Sequence, residues 1–520
     1  MNEKKFEFMI HLTDGNLTPE LTRSLEELVA PEGYVVEVQP VTGDEKYLAY
    51  ETAMRASDAK YKIYLDERAV IVKEDFLIDL LAIFQSDAQI GAVGTGGAIE
   101  LPLNGISFYS DKHTDKNYSG EVAVIDGYLF ATQYDLPWRH EEFRDGFFGG
   151  QAQCAEFKRA GYKLWVAAQV EPWLSHDEIT FASDKASCRL FLDEYAKDFL
   201  PLVTVIIPTF NRPEYLREAL ESALNQTYRN IEVVISDNST DDATERLVAD
   251  YDDKRIKYFR HKGFDAHENW NFARSYNNPA AEYVNWLMDD DIFYSTKLEQ
   301  MLEIYRANPD VSLVTSRRNI IDEYGQVLGE VNVPVKISEK IGGSEAGRLL
   351  FSEFKNYIGE PTTVLIRKKF LRDNDLCWDA EDSGFFNLAD ISTCCRLLTQ
   401  GDLYFIDEVL SAYRAHKGIA SGWEYTPPLA AIQWARLIKQ AWEQKAFLTT
   451  ETELRTAILG WFELQAVRGL RLPLQNDYHG AEVETLEKYF VAMAQALSNG
   501  YKLELPAAEY SAQDAIKKIR

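Results

Sequence analysis

From residue 203 the sequence alternates short apolar runs with amphipathic stretches, and this alternation constrains the fold more than any other feature. VTVII (203–207) is a β-branched run of the kind that fills a strand buried on both faces. PTFNR turns the chain, and Pro213 suits the first turn of a helix running to about Asn225. IEVVIS (231–236) is the next strand, and Asp241 and Asp242 open a helix that ends before Asp252. RIKYF (256–260) and AEYVNWL (281–287) are further strands, a helix spans about Ser295 to Ala307, and VSLVTS (311–316) closes the series. Strands separated by helices imply a largely parallel sheet with helices on its faces, because parallel neighbours need a crossover between them.

Residues 6–200 repeat the rhythm. FEFMIHL, YVVEVQ, KYKIYL and IGAVG are strand candidates with helical stretches between them. AKYKIYLDERAVI (59–71) aligns without a gap on AEYVNWLMDDDIF (281–293), and AGYKLWVAAQVEPWLSH (160–176) aligns on QGDLYFIDEVLSAYRAH (400–416). The chain therefore reads as two divergent copies of one α/β domain. At 520 residues it exceeds what one core ordinarily serves. After about residue 424 the apolar period becomes helical: Trp434, Leu437, Ile438, Ala441 and Trp442, then Val483, Leu486, Phe490, Met493 and Leu497. The expected division is 1–200, 201–423 and a helical C-terminal region, 424–520. The aromatic residues of that region suit a core or a homo-oligomer contact better than a ligand site.

Charge narrows the partners. Lys and Arg number 55 and Asp and Glu 83, for a net charge of −28, which excludes nucleic-acid binding built on phosphate neutralisation and disfavours an anionic membrane surface. There is no apolar run long enough for a transmembrane segment, and the N-terminus lacks the apolar core of a signal peptide. The five cysteines are not in CxxC spacing, so neither a disulfide framework nor a zinc site is expected and the reading is cytoplasmic. The glycines of GAVGTGGAIE (91–100) fail the GxGxxG spacing at Ile99 and are read as strand-end packing.

Three acidic features of the second copy carry chemistry. SDNSTDD (236–242) follows a strand, and ligands of open parallel sheets bind beyond the carboxyl ends of strands. Asp237 there suits a ribose hydroxyl or a base N–H, although the same residue types also make turns and helix caps. Asp289, Asp290 and Asp291 end an apolar strand. Three adjacent carboxylates repel one another, and a hard divalent cation resolves the repulsion; a solvated acidic turn is the alternative. Asp390 opens an amphipathic helix in FFNLADISTCCRLLTQGD. An ionised carboxylate there suits a general base, or simply an acid favoured by the helix dipole.

VTVIIPTFNR, SDNSTDD, EYVNWLMDDDI and ADIS, in this order, resemble the inverting glycosyltransferases of family 2, which have the GT-A fold. The resemblance covers about residues 201–420. It implies two tandem GT-A-like domains with mainly parallel sheets. It implies a nucleotide contact by Pro208, Thr209 and Asp237, and a donor diphosphate held by Asp289. Mn²⁺ or Mg²⁺ would be bound by Asp290 and Asp291, with His416 of YRAH as a further metal or phosphate contact. Met288 stands where an aspartate is frequent. The implied base is Asp390, and Glu360 of GEPTTVLI (359–366) would contact the acceptor. The implied reaction moves a hexose from a UDP-sugar to a hydroxyl of a glycan or glycoprotein, such as a bacterial surface glycan. The absence of membrane spans and of QxxRW argues against a processive synthase.

Residues 1–200 resemble a glycosyltransferase-like family with a DXD-like strand end, here LDERAVI, and a DGxxFYD-type run, here DGFFGGQAQ (145–153), in which the second aspartate is missing. The internal alignment sets Arg68 opposite Asp290, Gly150 opposite Asp390, and Pro40 near Asp237. A degenerate first domain is therefore expected, with Asp66 and Glu67 as its remaining acids. Other readings are a noncatalytic sugar-nucleotide or carbohydrate-binding protein, which the intact acids of the second copy oppose. A sugar-1-phosphate nucleotidyltransferase would need a Gly-rich basic N-terminal loop that the chain lacks.

Overall fold

The VTVII run lies inside the strand Leu202–Thr209, every residue of which from Val203 onward is buried. It is the third strand of its sheet. The computed structural model describes residues 1–103, 113–144, 148–176, 185–371, 387–416 and 426–507. Within it the chain forms two compact units, Met1–Leu200 and Pro201–Arg520.

In the second unit the sheet runs in the order Ile256–Arg260, Ile231–Asp237, Leu202–Thr209, Ala281–Trp286, Leu365–Arg367, Val311–Ile321, Asp402–Arg414, Ile292–Phe293. The first four strands are parallel to one another. Thr209 pairs in register with Asp237, and Ile206 with Trp286, so the loops that follow these strands leave the same edge of the sheet. The short strand Leu365–Arg367 then enters antiparallel to both of its neighbours. Beyond it Val311–Ile321 and Asp402–Arg414 are again parallel.

The first unit repeats six strands of this pattern, Val35–Val41, Asn2–His11, Ala59–Asp66, Leu129–Thr132, Ile90–Gly94 and Lys163–Val166, and ends on Gly120–Val122, antiparallel to the last as Glu339–Ile341 is to Asp402–Arg414. Leu129–Thr132 is the antiparallel insertion here. The fold is thus two tandem GT-A-like domains, each with a mixed sheet whose leading strands are parallel. One difference lies at the edge, where the first unit has no counterpart of Ile256–Arg260 among its described residues. The helices Phe148–Arg159 and Ala389–Leu398 each precede the matching strand, with Gly150 and Asp390 in their first turns. Residues 145–147 of the DGFFGGQAQ run lie outside the described residues, as does Cys377.

The helices after residue 426 share the second unit's core. Trp434, Leu437, Trp461 and Leu486 belong to one buried cluster with Ile206, Val284 and Leu313 of the sheet. The first unit has its own cluster around Phe6, Phe8, Ile63, Leu65 and Leu77. The glycines of GAVGTGG serve close packing: a Cβ on Gly97 would stand 2.2 Å from the Val124 carbonyl, and one on Gly94 2.2 Å from the Ile125 side chain. Among the described residues no helix is long and apolar enough to cross a membrane.

Candidate active site

The apolar strand Ala281–Trp286 delivers three carboxylates to the sheet edge, and the structure treats each differently. Asp289 is buried; the Thr209 hydroxyl donates to it at 2.8 Å and the Arg212 guanidinium stands at 3.5 Å. Burial, together with the charge of Asp290, pushes its carboxyl up to about 7. Asp290 is the least buried of the three. Arg212 Nη1 donates to its Oδ2 at 3.0 Å, and His416 Nε2 lies 2.9 Å from the same oxygen.

Asp291, expected as a metal ligand, is bonded from within the domain. It is buried, its Oδ2 accepts from the Thr362 hydroxyl at 2.6 Å, and its Oδ1 accepts from the Arg414 backbone N–H at 3.0 Å. Both oxygens are turned into the domain because a buried carboxylate must find donors there. Burial and the Asp290 charge still hold its carboxyl above the usual range. Arg414 ties the segment together. Its Nε donates to the Asp290 carbonyl at 2.7 Å, its Nη2 meets Glu218, and its guanidinium lies 4.7 Å over the Tyr215 ring.

Among the described residues no three His, Cys, Asp or Glu side chains converge as a ready metal cage. The donor set of Asp290 and His416 nevertheless fits a hard divalent ion. Adjacent ligands on an octahedral ion with bonds of about 2.1 Å stand about 3 Å apart, and such ions commonly take only one or two protein carboxylates and complete their shell with phosphate and water. In this structure the 2.9 Å between Asp290 Oδ2 and His416 Nε2 is a hydrogen-bond distance, and an ion held by both would take the place of the shared proton.

Asp237 is also enclosed more fully than its expected base contact requires. It has no exposed surface: Oδ2 accepts from Tyr258 OH at 2.6 Å and from Arg260 at 2.9 Å, and Oδ1 accepts from Ser239 N–H at 2.7 Å. The strand Ile256–Arg260 supplies both side-chain partners, so the carboxylate is satisfied from within the sheet. Pro208 and Thr209 are buried beside it in the neighbouring strand.

Asp390 sits in the first turn of Ala389–Leu398 and keeps partial solvent contact. Its Oδ1 accepts from Ile391 N–H at 2.8 Å and its Oδ2 from Asn356 Nδ2 at 2.6 Å. Burial pushes its carboxyl up to about 6; the Ile391 N–H pulls against that rise, and the Glu360 charge adds to it. Glu360 is itself paired with the buried guanidinium of Arg318, 2.5 Å away. The Glu360 charge also adds slightly to the rise of Asp291.

Residues 204–375 match the family model described as "Glycosyl transferase family 2", and residues 7–195 match "Glycosyltransferase like family". The second unit carries a family 2 glycosyltransferase domain. Related proteins include an uncharacterized glycosyltransferase of Rickettsia typhi, 30% identical over 42% of this chain and 65% of its own length. Another is the GalNAc(5)-diNAcBac-PP-undecaprenol beta-1,3-glucosyltransferase of Campylobacter jejuni, 34% identical over 20% of this chain and 34% of its own length. The chain thus covers less than two thirds of either relative. Among solved structures, S. aureus TarS 1–349 in complex with UDP-GlcNAc is 15% identical with a TM-score of 0.35, covering 57% of this chain and 92% of that chain.

In this glycosyltransferase domain, Asp390 and His416 lie beyond the residues that the family model matches. The residues that orient the acids were not singled out from the sequence. Arg212, Thr362 and Arg414 stand inside the quoted runs PTFNR, GEPTTVLI and YRAH, yet nothing in those runs marks them as donors to aspartates some 70 to 120 positions away in the chain. Asn356 lies in no motif.

Proposed function

We propose that the second unit moves a hexose from a UDP-sugar to a hydroxyl of a glycan or glycoprotein by direct displacement with inversion. The carrying observation is the placement of two carboxylate centres: Asp289, Asp290 and Asp291 beyond the end of a parallel strand, and Asp390 in the first turn of its helix, partly open to solvent and bonded by Asn356 and the Ile391 N–H. A general base works best when its pKa lies near the working pH.

Asp290 and His416, with Asp289 behind them, would hold Mn²⁺ or Mg²⁺, which when bound supplies positive charge to the donor diphosphate. Pro208, Thr209 and the Asp237–Ser239 turn form the floor proposed for the nucleotide. Glu360, fixed by Arg318, receives the acceptor. Asp390 accepts the proton of the acceptor hydroxyl as its oxygen bonds to the anomeric carbon. The bond from that carbon to the phosphate oxygen breaks, and UDP leaves with the electron pair. The Campylobacter jejuni relative, whose name gives a glycosylated lipid diphosphate as its acceptor, supports a glycan hydroxyl here.

The first unit is proposed to be catalytically silent. It has Gly150 in the place of Asp390, and its strand-end acid is already paired with Arg68. UDP release from a panel of UDP-sugars with Mn²⁺ tests the whole reading, comparing wild type with Asp390→Asn. Release by wild type alone is expected. No release from any donor, or equal release by the variant, overturns it.

A further inference from the structure

Asn356 belongs to no motif, yet its side chain makes three hydrogen bonds, with both amide hydrogens used. Nδ2 donates to Asp390 Oδ2 at 2.6 Å and to the Gly359 carbonyl at 2.9 Å, while Oδ1 accepts from Gly359 N–H at 2.8 Å. This bonding leaves only one orientation for the amide. Reversing it would set an oxygen against the Asp390 carboxylate and another acceptor, and would leave Gly359 N–H facing an NH₂ group.

The backbone around it is equally constrained. Arg318 Nη2 donates to the Asn356 carbonyl at 2.9 Å, and the Thr315 hydroxyl donates to Ile358 O. Gly359 takes φ +122°, where a Cβ would also stand 2.7 Å from Thr363. The turn therefore needs glycine, and it presents the amide to Asp390 from a fixed base.

We infer that Asn356 is a positioning residue that holds the Asp390 carboxylate in one orientation and keeps it ionised. The inference rests on the reading of Asp390 as the base. Among the described residues the other titratable groups acting on Asp390 are Glu360, which disfavours its charge, and the thiols of Cys394 and Cys395 on its own helix, which feel that charge. Arg318 faces Glu360 and not Asp390. Asn356 is thus the one side chain seen donating to the carboxylate; the other donor is a backbone N–H.

The test uses full-length protein with ¹³C-labelled aspartate carboxyls, the Asp390 signal being assigned by its loss in Asp390→Asn. In Asn356→Ala the Asp390 titration is expected to move up by about one pH unit, and further in Asn356→Asp, where a second carboxylate faces the first. The acid limb of UDP release should move with it, with the donor KM unchanged. Asn356→Asp preserves shape and decides the matter if the alanine variant does not fold. A fall in UDP release with an unmoved Asp390 titration overturns the inference. A moved titration in a protein that releases no UDP upholds it and sinks the transferase reading instead.

Discussion

The two units place an acidic strand end at the equivalent point of their own sheets, and they resolve it in opposite ways. In the first, Asp66 is gripped by Arg68 Nε and Nη2 at 2.7 and 2.9 Å, with Lys46 Nζ at 3.7 Å. Glu67 accepts the Thr13 backbone N–H at 2.9 Å, much as Asp289 accepts the Thr209 hydroxyl. Despite its burial, Asp66 is held below the usual carboxylate range by these cations. In the second, Asp289 and Asp290 share Arg212, Asp290 also meets His416, Asp291 has only neutral donors, and Asp289 and Asp291 are both pushed upward. One strand end is neutralised by its own side chains, and the other is left with a deficit of positive charge that a divalent ion would fill. The same scaffold thus carries two different charge arrangements at one point.

The largest test of that contrast is at the base. Asp390→Asn is expected to lower UDP release by about 10³-fold, within the range for loss of a general base. Gly150→Asp in the first unit should leave it within about twofold. A first unit that works would reveal itself through Asp66→Ala: loss of turnover with folding intact would end the claim that it is silent.

Next in size is the nucleotide effect on melting. With UDP at about 100 times Kd the second unit gains about 2.7 kcal/mol, which raises the Tm of a unit of this size by roughly 4 °C. Asp290→Ala or EDTA should abolish that rise, and Asp66→Ala should retain it. A rise that survives EDTA would mean that Arg212 and its neighbours bind the diphosphate without metal.

Legibility in the sequence followed the range of the interactions. Strand ends and their acids were readable because a β-branched run ending in aspartates is a local pattern, and IEVVIS and AEYVNWL fell within a residue or two of Ile231–Asp237 and Ala281–Trp286. The helix Ala266–Ser275 has a weak apolar period, although Asp265 and Glu268 form a capping box that the sequence spells out. Leu365–Arg367 was unreadable as an antiparallel insertion, since three residues carry no period of their own. The roles within the acidic run were also hidden. Asp291 turns inward because Thr362 and Arg414 N–H are there to receive it, and Asp237 is sealed because Arg260 reaches back across the sheet edge. Those partners are set by topology, which spacing along the chain does not encode.

The pH dependence is a smaller and separable effect. UDP release should fall about tenfold per pH unit below about pH 6 and level off above it, because only ionised Asp390 accepts a proton. The same carboxyl works against stability when charged. Its folded value lies above its unfolded one, so its contribution is fully present below about pH 4 and is lost as pH rises through about 6. Thermal melts of the wild type should show that decline across pH 4–6, and Asp390→Asn should lessen it by the Asp390 share, Asp289 and Asp291 supplying the rest with the same sign.

The smallest expected effect is the most informative about the first unit. Arg68→Ala removes the guanidinium from Asp66 but leaves the residue's backbone N–H, 3.1 Å from Oδ1, and Lys46. The Arg68 side chain is 54% exposed, so solvent screens the pair, and the loss should stay below about 1 kcal/mol, a few degrees in Tm at pH 7. The sign follows from Asp66, whose folded value is depressed. The stabilisation is present above about pH 4 and disappears as pH falls through the folded value, so wild type and variant should converge in acid, and also in high salt. A drop of several kcal/mol would make Arg68 a structural pin instead of a stand-in for an ion. If Arg68→Ala were to give the first unit a Mn²⁺-dependent response to UDP, one arginine would be what separates the two strand ends. Turnover would still be missing from that unit, because the helix Phe148–Arg159 offers Gly150, with only a backbone N–H bonded to Tyr47 OH, where the second unit presents a carboxylate.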